Sequence, residues 1–290
     1  MTALNSSDTG FALDTAFLAD PQLAAQLVRR RSSLDEASGI KWPKKYDVFG
    51  VGVSATTYEQ AKDAILAAAK QRISATVTHM SSHGLCMAGT DEAFREIIND
   101  FDIAAPDGQP VRWTLKWFHK QPLPDRCYGP ELMIRLCRAA ATEGVSIYLY
   151  GSSDDVLEQL TANLKKECPG LEIAGAESPP FRKLEAHEID AAIARINDSG
   201  AGLVFIGLGC PRQDMFARDH KHKIKAVQLC VGAAFDFHAG NKKMAPRWMQ
   251  KRGLEWFYRL TQEPTRLWKR YLVIHTTFAY LLTRRLILGR

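Results

Sequence analysis

The sequence predicts an α/β protein with a Rossmann-like, mostly parallel sheet and helices on both faces. Short apolar runs alternate with longer amphipathic stretches from residue 45 to residue 231, which is the pattern of consecutive βαβ units. Turn-forming glycines or a Pro-Asp-Gly sequence follow several of the apolar runs. The 290 residues are 46% hydrophobic, which is sufficient for one large core.

The alternation begins with a strand at residues 46–53, a helix at 58–71, a strand at 73–78 and a helix at 91–99. A short buried strand at 103–105 then ends in the turn Pro106-Asp107-Gly108, before a Trp-rich segment that starts at residue 111. The remaining elements are a helix at 129–143, a strand at 145–150, a helix ending near 167, a strand at 171–175, a helix at 185–197 and strands at 203–206 and 227–231. We expect a Ser or Asp after Gly151 to cap the helix that follows it.

We divide the chain into a mobile leader (1–44), an α/β core (45–245) and a C-terminal helical appendage (246–290). The leader holds one candidate helix near residues 21–31, and it has no basic flank followed by an apolar core, so we expect no secretory signal. The six cysteines are never closer than ten residues, and the eight histidines form no ligand spacing either. We therefore predict a cytoplasmic protein with reduced thiols and no metal. We also predict no cofactor.

Positive charge is concentrated in the appendage. It contains ten Lys or Arg and two Asp or Glu, a net charge of +8, so the rest of the chain carries −2 of the total of +6. Basic residues mixed with Trp248, Trp256 and a long aromatic helix at 265–288 are typical of a segment that lies on an anionic membrane. The apolar run at 271–283 is shorter than the roughly 20 residues that a membrane span requires.

Two alternatives for the appendage stay open. Its helix can pack on the core or on a second subunit, which would make the protein a homo-oligomer. A basic aromatic tail can also bind nucleic acid, but the sequence contains no recognisable nucleic-acid module, so we predict no nucleic-acid partner.

Small and polar residues follow the predicted strands, and these positions should meet at the carboxyl edge of the sheet, where open α/β sheets form their ligand crevice. They are Thr78, Asp107, Gly151, Gly207, Gly209 and Gly232. Glycines let the backbone approach a phosphate or sugar, and Gln213 at the next helix start can donate to a ligand oxygen. His79 and His83 flank Thr78 in a predicted cleft loop and are candidate ligand contacts. Ordinary turn chemistry is the alternative explanation for Asp107 and the glycines.

Two other patterns would indicate different kinds of ligand site. Gly50-x-Gly52-x-x-Ala55 fits the relaxed dinucleotide fingerprint, which would indicate a nicotinamide- or flavin-dependent oxidoreductase. The acidic residue that should follow about 20 positions later is missing. Asp100-x-Asp102 resembles the acidic pair that holds a metal and a nucleotide diphosphate in many glycosyltransferases, but it precedes its strand and should lie at the opposite edge of the sheet.

Several ordered motifs resemble the bacterial WecG/TagA/CpsF glycosyltransferases (glycosyltransferase family 26) over about residues 45–272. The motifs are Pro106-Asp-Gly108, Asp125-Arg-Cys-Tyr-Gly-Pro-Glu-Leu-Met133, Gly207-Leu-Gly-Cys-Pro-Arg-Gln213, Val231-Gly-Ala-Ala-Phe-Asp-Phe-His-Ala-Gly240 and Gly253-Leu-Glu-Trp-Phe-Tyr-Arg-Leu-Thr-Gln-Glu-Pro264.

The resemblance implies an inverting, metal-independent enzyme that moves a sugar from a UDP-sugar to a polyprenyl-diphosphate-linked saccharide, peripheral on the inner face of the bacterial plasma membrane, in exopolysaccharide, capsule or related polymer synthesis. It implies that Asp107 is the general base and Thr78 a polar active-site contact. Gln213 and the glycines around it would hold donor or acceptor, and the appendage would close over the site at the membrane. Substrate contacts within the shared motifs include Arg126, Gly232 and Asp236, and the departing diphosphate would meet Arg259, Arg266 and Lys269.

The sequence departs from the family at two places. The family's Thr-x-Asn pattern is absent, so its Thr position falls on Thr78 or on His79, and Ser81 replaces the Asn. The third cation is Lys269 or the adjacent Arg270. A dinucleotide-dependent oxidoreductase and a non-catalytic membrane scaffold are the competing classes, and neither accounts for the clustered motifs.

Overall fold

The computed structural model describes residues 39–288, so the leader helix expected near residues 21–31 lies outside the described residues. The elements of the first half are β1 (Lys45–Val48), β2 (Val51–Ser54), α1 (Tyr58–Lys70), β3 (Ala75–Met80), α2 (Ser82–Thr90), α3 (Glu92–Asn99), β4 (Ile103–Pro106), α4 (Gln109–His119) and α5 (Gly129–Glu143). Those of the second half are β5 (Ile147–Gly151), α6 (Asp154–Glu167), β6 (Ile173–Glu177), α7 (Ala186–Asp198), β7 (Leu203–Gly207), α8 (Arg212–Asp219), β8 (Val227–Cys230), α9 (Ala234–Ala239), α10 (Arg247–Lys251), α11 (Glu255–Gln262) and α12 (Pro264–Leu288).

Six strands form one parallel sheet in the order β4-β3-β8-β7-β5-β6. The helices α1, α5, α6 and α9 bury their apolar residues on one face, and α2, α3, α4, α7 and α8 bury theirs on the other. The predicted α/β class with helices on both faces is therefore confirmed. The central strands are buried on both faces, as the near-continuous apolar sequence of Leu203–Gly207 requires.

The crevice at the carboxyl edge follows from how adjacent strands are connected. The chain leaves β3 toward α2 on one face, whereas it leaves the neighbouring β8 toward α9 on the other face. Loops that diverge from adjacent parallel strands leave a space between them, and this is the standard ligand position of doubly wound sheets.

The single strand expected at residues 46–53 is wrong. The segment is an antiparallel hairpin, β1–β2, with Phe49 and Gly50 at φ values of 60° and 84° in its turn. Ser54 Oγ accepts a hydrogen bond from Ala104 N at 3.0 Å, which attaches the hairpin to β4. Because Gly50 and Gly52 lie in a hairpin and not between a strand and a helix, the structural context of a dinucleotide site is absent.

Asp102 lies at the amino edge of the sheet, as its position before β4 predicted. Its Oδ2 accepts a hydrogen bond from Thr76 N at 2.7 Å and lies 3.7 Å from Lys221 Nζ. The carboxylate therefore joins β3, β4 and the segment that follows α8, at the edge of the sheet opposite the crevice, and its role is structural.

The appendage packs on the core through its last helix. Leu267, Ile274 and Leu281 are the buried residues of α12, and their spacing of seven places them on one face. Leu281 lies on Gly89 of α2, where an added Cβ would come within 2.8 Å of its methyl carbon. Among residues 39–288, no helix combines the length and apolar character that crossing a bilayer requires.

Candidate active site

Asp107 lies at the carboxyl end of β4, on the turn that the sequence predicted. Its backbone N–H and that of Gly108 both donate to Met80 O at 3.2 Å, so the turn is held against the end of β3. The Asp107 side chain is only 16% exposed and accepts a hydrogen bond from the backbone of Gly129. Burial raises the pKa of Asp107 to about 6, against the opposing charge of Arg126.

Arg126 connects Asp107 to the appendage. Its Nη1 lies 3.8 Å from Asp107 Oδ1, and its Nη2 donates to Glu255 Oε2 at 2.5 Å. The guanidinium carbon lies 4.1 Å from the ring centroid of Tyr128, whose hydroxyl donates to Glu255 Oε1 at 3.2 Å. Two carboxylates, one from the core and one from α11, thus share one buried guanidinium. Glu255 raises the pKa of Asp107.

Thr78 lies within β3 and not in a loop after it, which corrects the expectation. It is buried, and its Oγ1 donates to Asp214 Oδ1 at 2.6 Å. Asp214 also accepts a hydrogen bond from Cys210, and burial raises its pKa to about 6. The Thr78 hydroxyl therefore joins β3 to the first turn of α8.

The two histidines differ in position. His79 also lies in β3, where its Nδ1 lies 3.1 Å from Cys230 O, and Nε2 is buried with no hydrogen-bond partner among residues 39–288. Burial lowers the pKa of His79 to about 4, so the ring is neutral. His83 lies in α2 and not in a cleft loop, and Ser81 caps that helix by accepting from Gly84 N at 3.2 Å.

Three of the predicted residues meet beside the loop between β7 and α8. Gly209 N donates to Gln213 Oε1 at 3.1 Å, which leaves the Gln213 Nε2 group as a donor. Gly232 has a φ of 52°, and its Cβ position lies 3.3 Å from Gln213 Oε1. Gln213, Gly209 and Gly232 therefore form one wall of the crevice.

The other predicted glycines and Asp236 have packing partners. A Cβ on Gly151 would lie 2.7 Å from the backbone of Gly207, and a Cβ on Gly207 would lie 2.6 Å from the ring of Phe235. These two glycines are required by close packing at the strand ends. Asp236 forms an ion pair with Lys242 at 3.1 Å.

The cations of the appendage meet at the start of α12. Arg259 lowers the pKa of Asp107 and lies over the ring of Phe237 at 5.5 Å, so it faces the crevice. Arg266 is paired with Glu263. Desolvation lowers the pKa of Arg270, and the charges of Arg259 and Arg266 lower it further.

Arg270, not Lys269, is the third member of this group in the structure. Burial, with a smaller contribution from the charge of Arg270, lowers the pKa of His83 to about 4, which places Arg270 beside α2. Lys269 Nζ lies over the ring of Trp268 at 5.5 Å instead. Adjacent residues of a helix point about 100° apart, so only one of the two can face the crevice.

Glu255 and Asp214 were missed as site residues by the sequence reasoning. Glu255 is one of only two acidic residues in the basic appendage, and that isolation was an available signal. Asp214 directly follows Gln213 in a family motif, but its apposition to Thr78 across 136 positions has no sequence signature.

A buried carboxylate of raised pKa beside converging guanidinium groups, at the carboxyl edge of a parallel sheet, is typical of an active site. The family model described as "Glycosyl transferase WecG/TagA/CpsF family" matches residues 46–290. The chain belongs to this family and is a glycosyltransferase.

A curated relative agrees with this assignment. The chain is 32% identical over 207 residues to the N-acetylglucosaminyldiphosphoundecaprenol N-acetyl-beta-D-mannosaminyltransferase of Bacillus subtilis (strain 168). The match covers 70% of this chain and 77% of the relative.

Proposed function

We propose that this enzyme transfers a sugar from a UDP-sugar to a polyprenyl-diphosphate-linked saccharide at the inner face of the bacterial plasma membrane. The product would enter an exopolysaccharide, a capsule or a related cell-surface polymer. The observation that carries the proposal is Asp107, a buried carboxylate at the crevice with a pKa raised to about 6. The relative's name supports the acceptor class, because that protein acts on an N-acetylglucosaminyl diphosphoundecaprenol.

In the proposed reaction Asp107 removes the proton from an acceptor hydroxyl. The hydroxyl oxygen forms a bond to the anomeric carbon of the donor while the bond from that carbon to the UDP oxygen breaks, which inverts the configuration. A carboxylate with a pKa near 6 remains ionised at neutral pH and is a stronger base than an exposed Asp. The pKa of Asp107 therefore suits the role.

UDP leaves with an additional negative charge, which the cations of the appendage would stabilise. Arg259 and Arg270 would do this, together with Arg266; the coupling of Arg259 to Asp107, and of Arg259 and Arg266 to Arg270, supports this role. Their mutual repulsion in the free enzyme is relieved when a diphosphate enters, so binding is favoured at that position. We propose no metal ion in this reaction.

Gln213 and the backbone of Gly209 would contact the donor or acceptor. The partnerless Nε2 of His79 is a candidate acceptor for a sugar hydroxyl, because a neutral ring bonded through Nδ1–H to Cys230 O keeps a lone pair on Nε2. Thr78 would act indirectly, by holding Asp214 and with it the first turn of α8.

The outer face of α12 would dock on the membrane. Large apolar side chains on it are exposed, and they are Trp268, Leu272, Val273, Tyr280, Leu286 and Ile287. An exposed apolar face with flanking cations lies naturally at a headgroup boundary. Docking there would bring the lipid-linked acceptor to the crevice.

Calorimetric titration with UDP and, separately, with NAD, each with and without magnesium, tests the donor class. UDP binding that is independent of magnesium, with no NAD binding, is expected. Binding of NAD but not UDP would contradict the proposal.

Asp107→Asn tests the base. It should abolish sugar transfer to a lipid-linked acceptor while UDP still binds, because the amide cannot take a proton. Asp155→Asn, at an exposed carboxylate in the first turn of α6, is the matched control and should retain full activity. If the Asp107→Asn variant still transferred sugar, Asp107 could not be the general base.

A further inference from the structure

A second basic cavity lies at the far end of α12, away from the crevice. It has a volume of about 340 Å³ and is lined by the hairpin β1–β2, α2, α3 and the end of α12. Its charged lining consists of Arg95, Arg284 and Arg285 with one carboxylate, Asp47. The lining therefore carries an excess of two positive charges.

The cavity is separate from the proposed catalytic cations. Arg285 follows Arg270 by fifteen residues on one continuous helix, which corresponds to a distance of about 22 Å along the axis. A single diphosphate cannot contact both groups, and neither Asp107 nor any residue of the crevice lines this cavity.

Packing fixes the walls of the cavity before any ligand arrives. The ring of Phe49, in the turn of the hairpin, lies 5.6 Å from that of Phe278 in α12. Leu281 sits on Gly89, and Arg285 Nη1 lies 3.4 Å from Asp47 Oδ1. The end of α12 is thus attached to both the hairpin and α2, which sets the direction of its arginines.

The arginines of the cavity are not all neutralised by carboxylates among the described residues, so the cavity can bind an anion. Arg285 is paired with Asp47, and Arg95 Nη2 lies 2.9 Å from Glu92 Oε1, a side chain that is 80% exposed. For Arg284, no carboxylate lies within ion-pair distance among residues 39–288. Guanidinium groups bind phosphate oxygens in a bidentate manner, so this set matches a phosphate group.

The exposed apolar residues that follow the arginines in α12 indicate the source of that phosphate. Leu286, Ile287 and Leu288, next to Arg284 and Arg285, are 61–74% exposed. A free phosphate or nucleotide gains nothing from exposed apolar side chains near its site, whereas a lipid presents its phosphate directly above its acyl chains.

We propose that Arg95 and Arg284, with Arg285, form a binding site for the phosphate headgroup of an anionic glycerophospholipid. This inference rests on the membrane docking included in the proposed function and adds a defined second attachment point. An apolar helix face alone lets the protein rotate on the membrane. A phosphate held about 22 Å from the Arg270 end fixes that rotation, so that the crevice faces the incoming acceptor.

Vesicle flotation of the full chain tests the site, with vesicles of phosphatidylcholine alone or mixed with phosphatidylglycerol. Arg95→Gln with Arg284→Gln should lower binding to the mixed vesicles by about 25-fold, since each cation near such a surface contributes about fivefold. The matched control, Lys165→Gln with Lys166→Gln, removes the same charge from the exposed last turn of α6 and should lower it by no more than about twofold.

The outcomes separate this site from the proposed function. Equal losses in the two double variants would show general electrostatic attraction and would overturn the site. Wild-type binding to mixed vesicles that inorganic phosphate abolishes at constant ionic strength would assign the cavity to free phosphate and would also overturn it. Absence of wild-type binding to any vesicle would instead refute the membrane docking itself. Transfer to a short-chain, detergent-soluble acceptor should be unchanged in Arg95→Gln with Arg284→Gln, and melting temperature checks folding.

Discussion

Replacing Glu255 with Gln should move the acidic limb of the pH–rate profile to lower pH. Glu255 and Asp107 contact the two ends of one guanidinium, at 2.5 Å and 3.8 Å, so their carboxylates lie about 7 Å apart. At an effective dielectric constant near 20, two like charges at that separation repel by about 2 kcal/mol. That repulsion favours the protonated form of Asp107 and raises its pKa.

Loss of the Glu255 charge lowers the pKa of Asp107 in two ways. It removes the repulsion, and it frees Arg126 to pair more closely with Asp107. Since one pKa unit corresponds to about 1.4 kcal/mol, the midpoint of kcat/KM should move from near pH 6 to about pH 5 or below. The rate at the plateau should also fall, because the base becomes weaker.

The assay is the initial rate of transfer at subsaturating substrate across the acidic and neutral range. Glu255→Asp retains a carboxylate and should keep the midpoint near that of the wild type. Glu158→Gln removes an exposed carboxylate on α6 and should leave the profile unchanged. A midpoint in Glu255→Gln that stays at pH 6 or rises would refute the electrostatic link between the appendage and the base.

Three further predictions concern other positions. Arg270→Gln should lower kcat/KM by about a hundredfold, while Lys269→Gln should change it little. Equal effects of the two substitutions in steady-state assays would contradict the assignment of Arg270, and not Lys269, to the diphosphate. Gly151→Ala should lower the free energy of unfolding by about 3 kcal/mol or more, because its Cβ would overlap the backbone of β7; chemical denaturation should show a cost of only about 1 kcal/mol for Gly144→Ala, which has open space. Asp214 has a folded-state pKa raised to about 6, so its stabilising contribution is complete below pH 4 and is lost as pH rises through 6. Asp214→Asn should therefore flatten the decline in unfolding free energy between pH 4 and pH 8 by up to about 3 kcal/mol, and an equally steep decline in the variant would refute this.

Long, strongly patterned elements could be predicted from the sequence. The helix at Gly129–Glu143 and the strand Leu203–Gly207 match the expected bounds within a residue, since a buried strand and an amphipathic helix have clear periods. The position of Asp107 on a turn at the end of a strand could also be predicted, because Pro-Asp-Gly after a buried apolar run indicates that the strand ends there.

Features that depend on tertiary packing could not be predicted. The helix Ser82–Thr90 contains two glycines and no amphipathic pattern, and it is helical because the sheet and α12 enclose it. The hairpin turn uses Phe49 at positive φ, a residue with no preference for that conformation. The pairing of Arg126 with Glu255 joins positions 129 residues apart, and no local pattern specifies it.

That separation has a consequence for folding kinetics. The contacts that assemble the crevice join residues 129 and 136 positions apart, and the seam between α2 and α12 includes a contact across 188. Contacts of such large sequence separation carry a high loop-closure entropy and form late. During refolding, the helical signal should therefore return before UDP binding does, and catalytic competence should be the last property that the chain recovers.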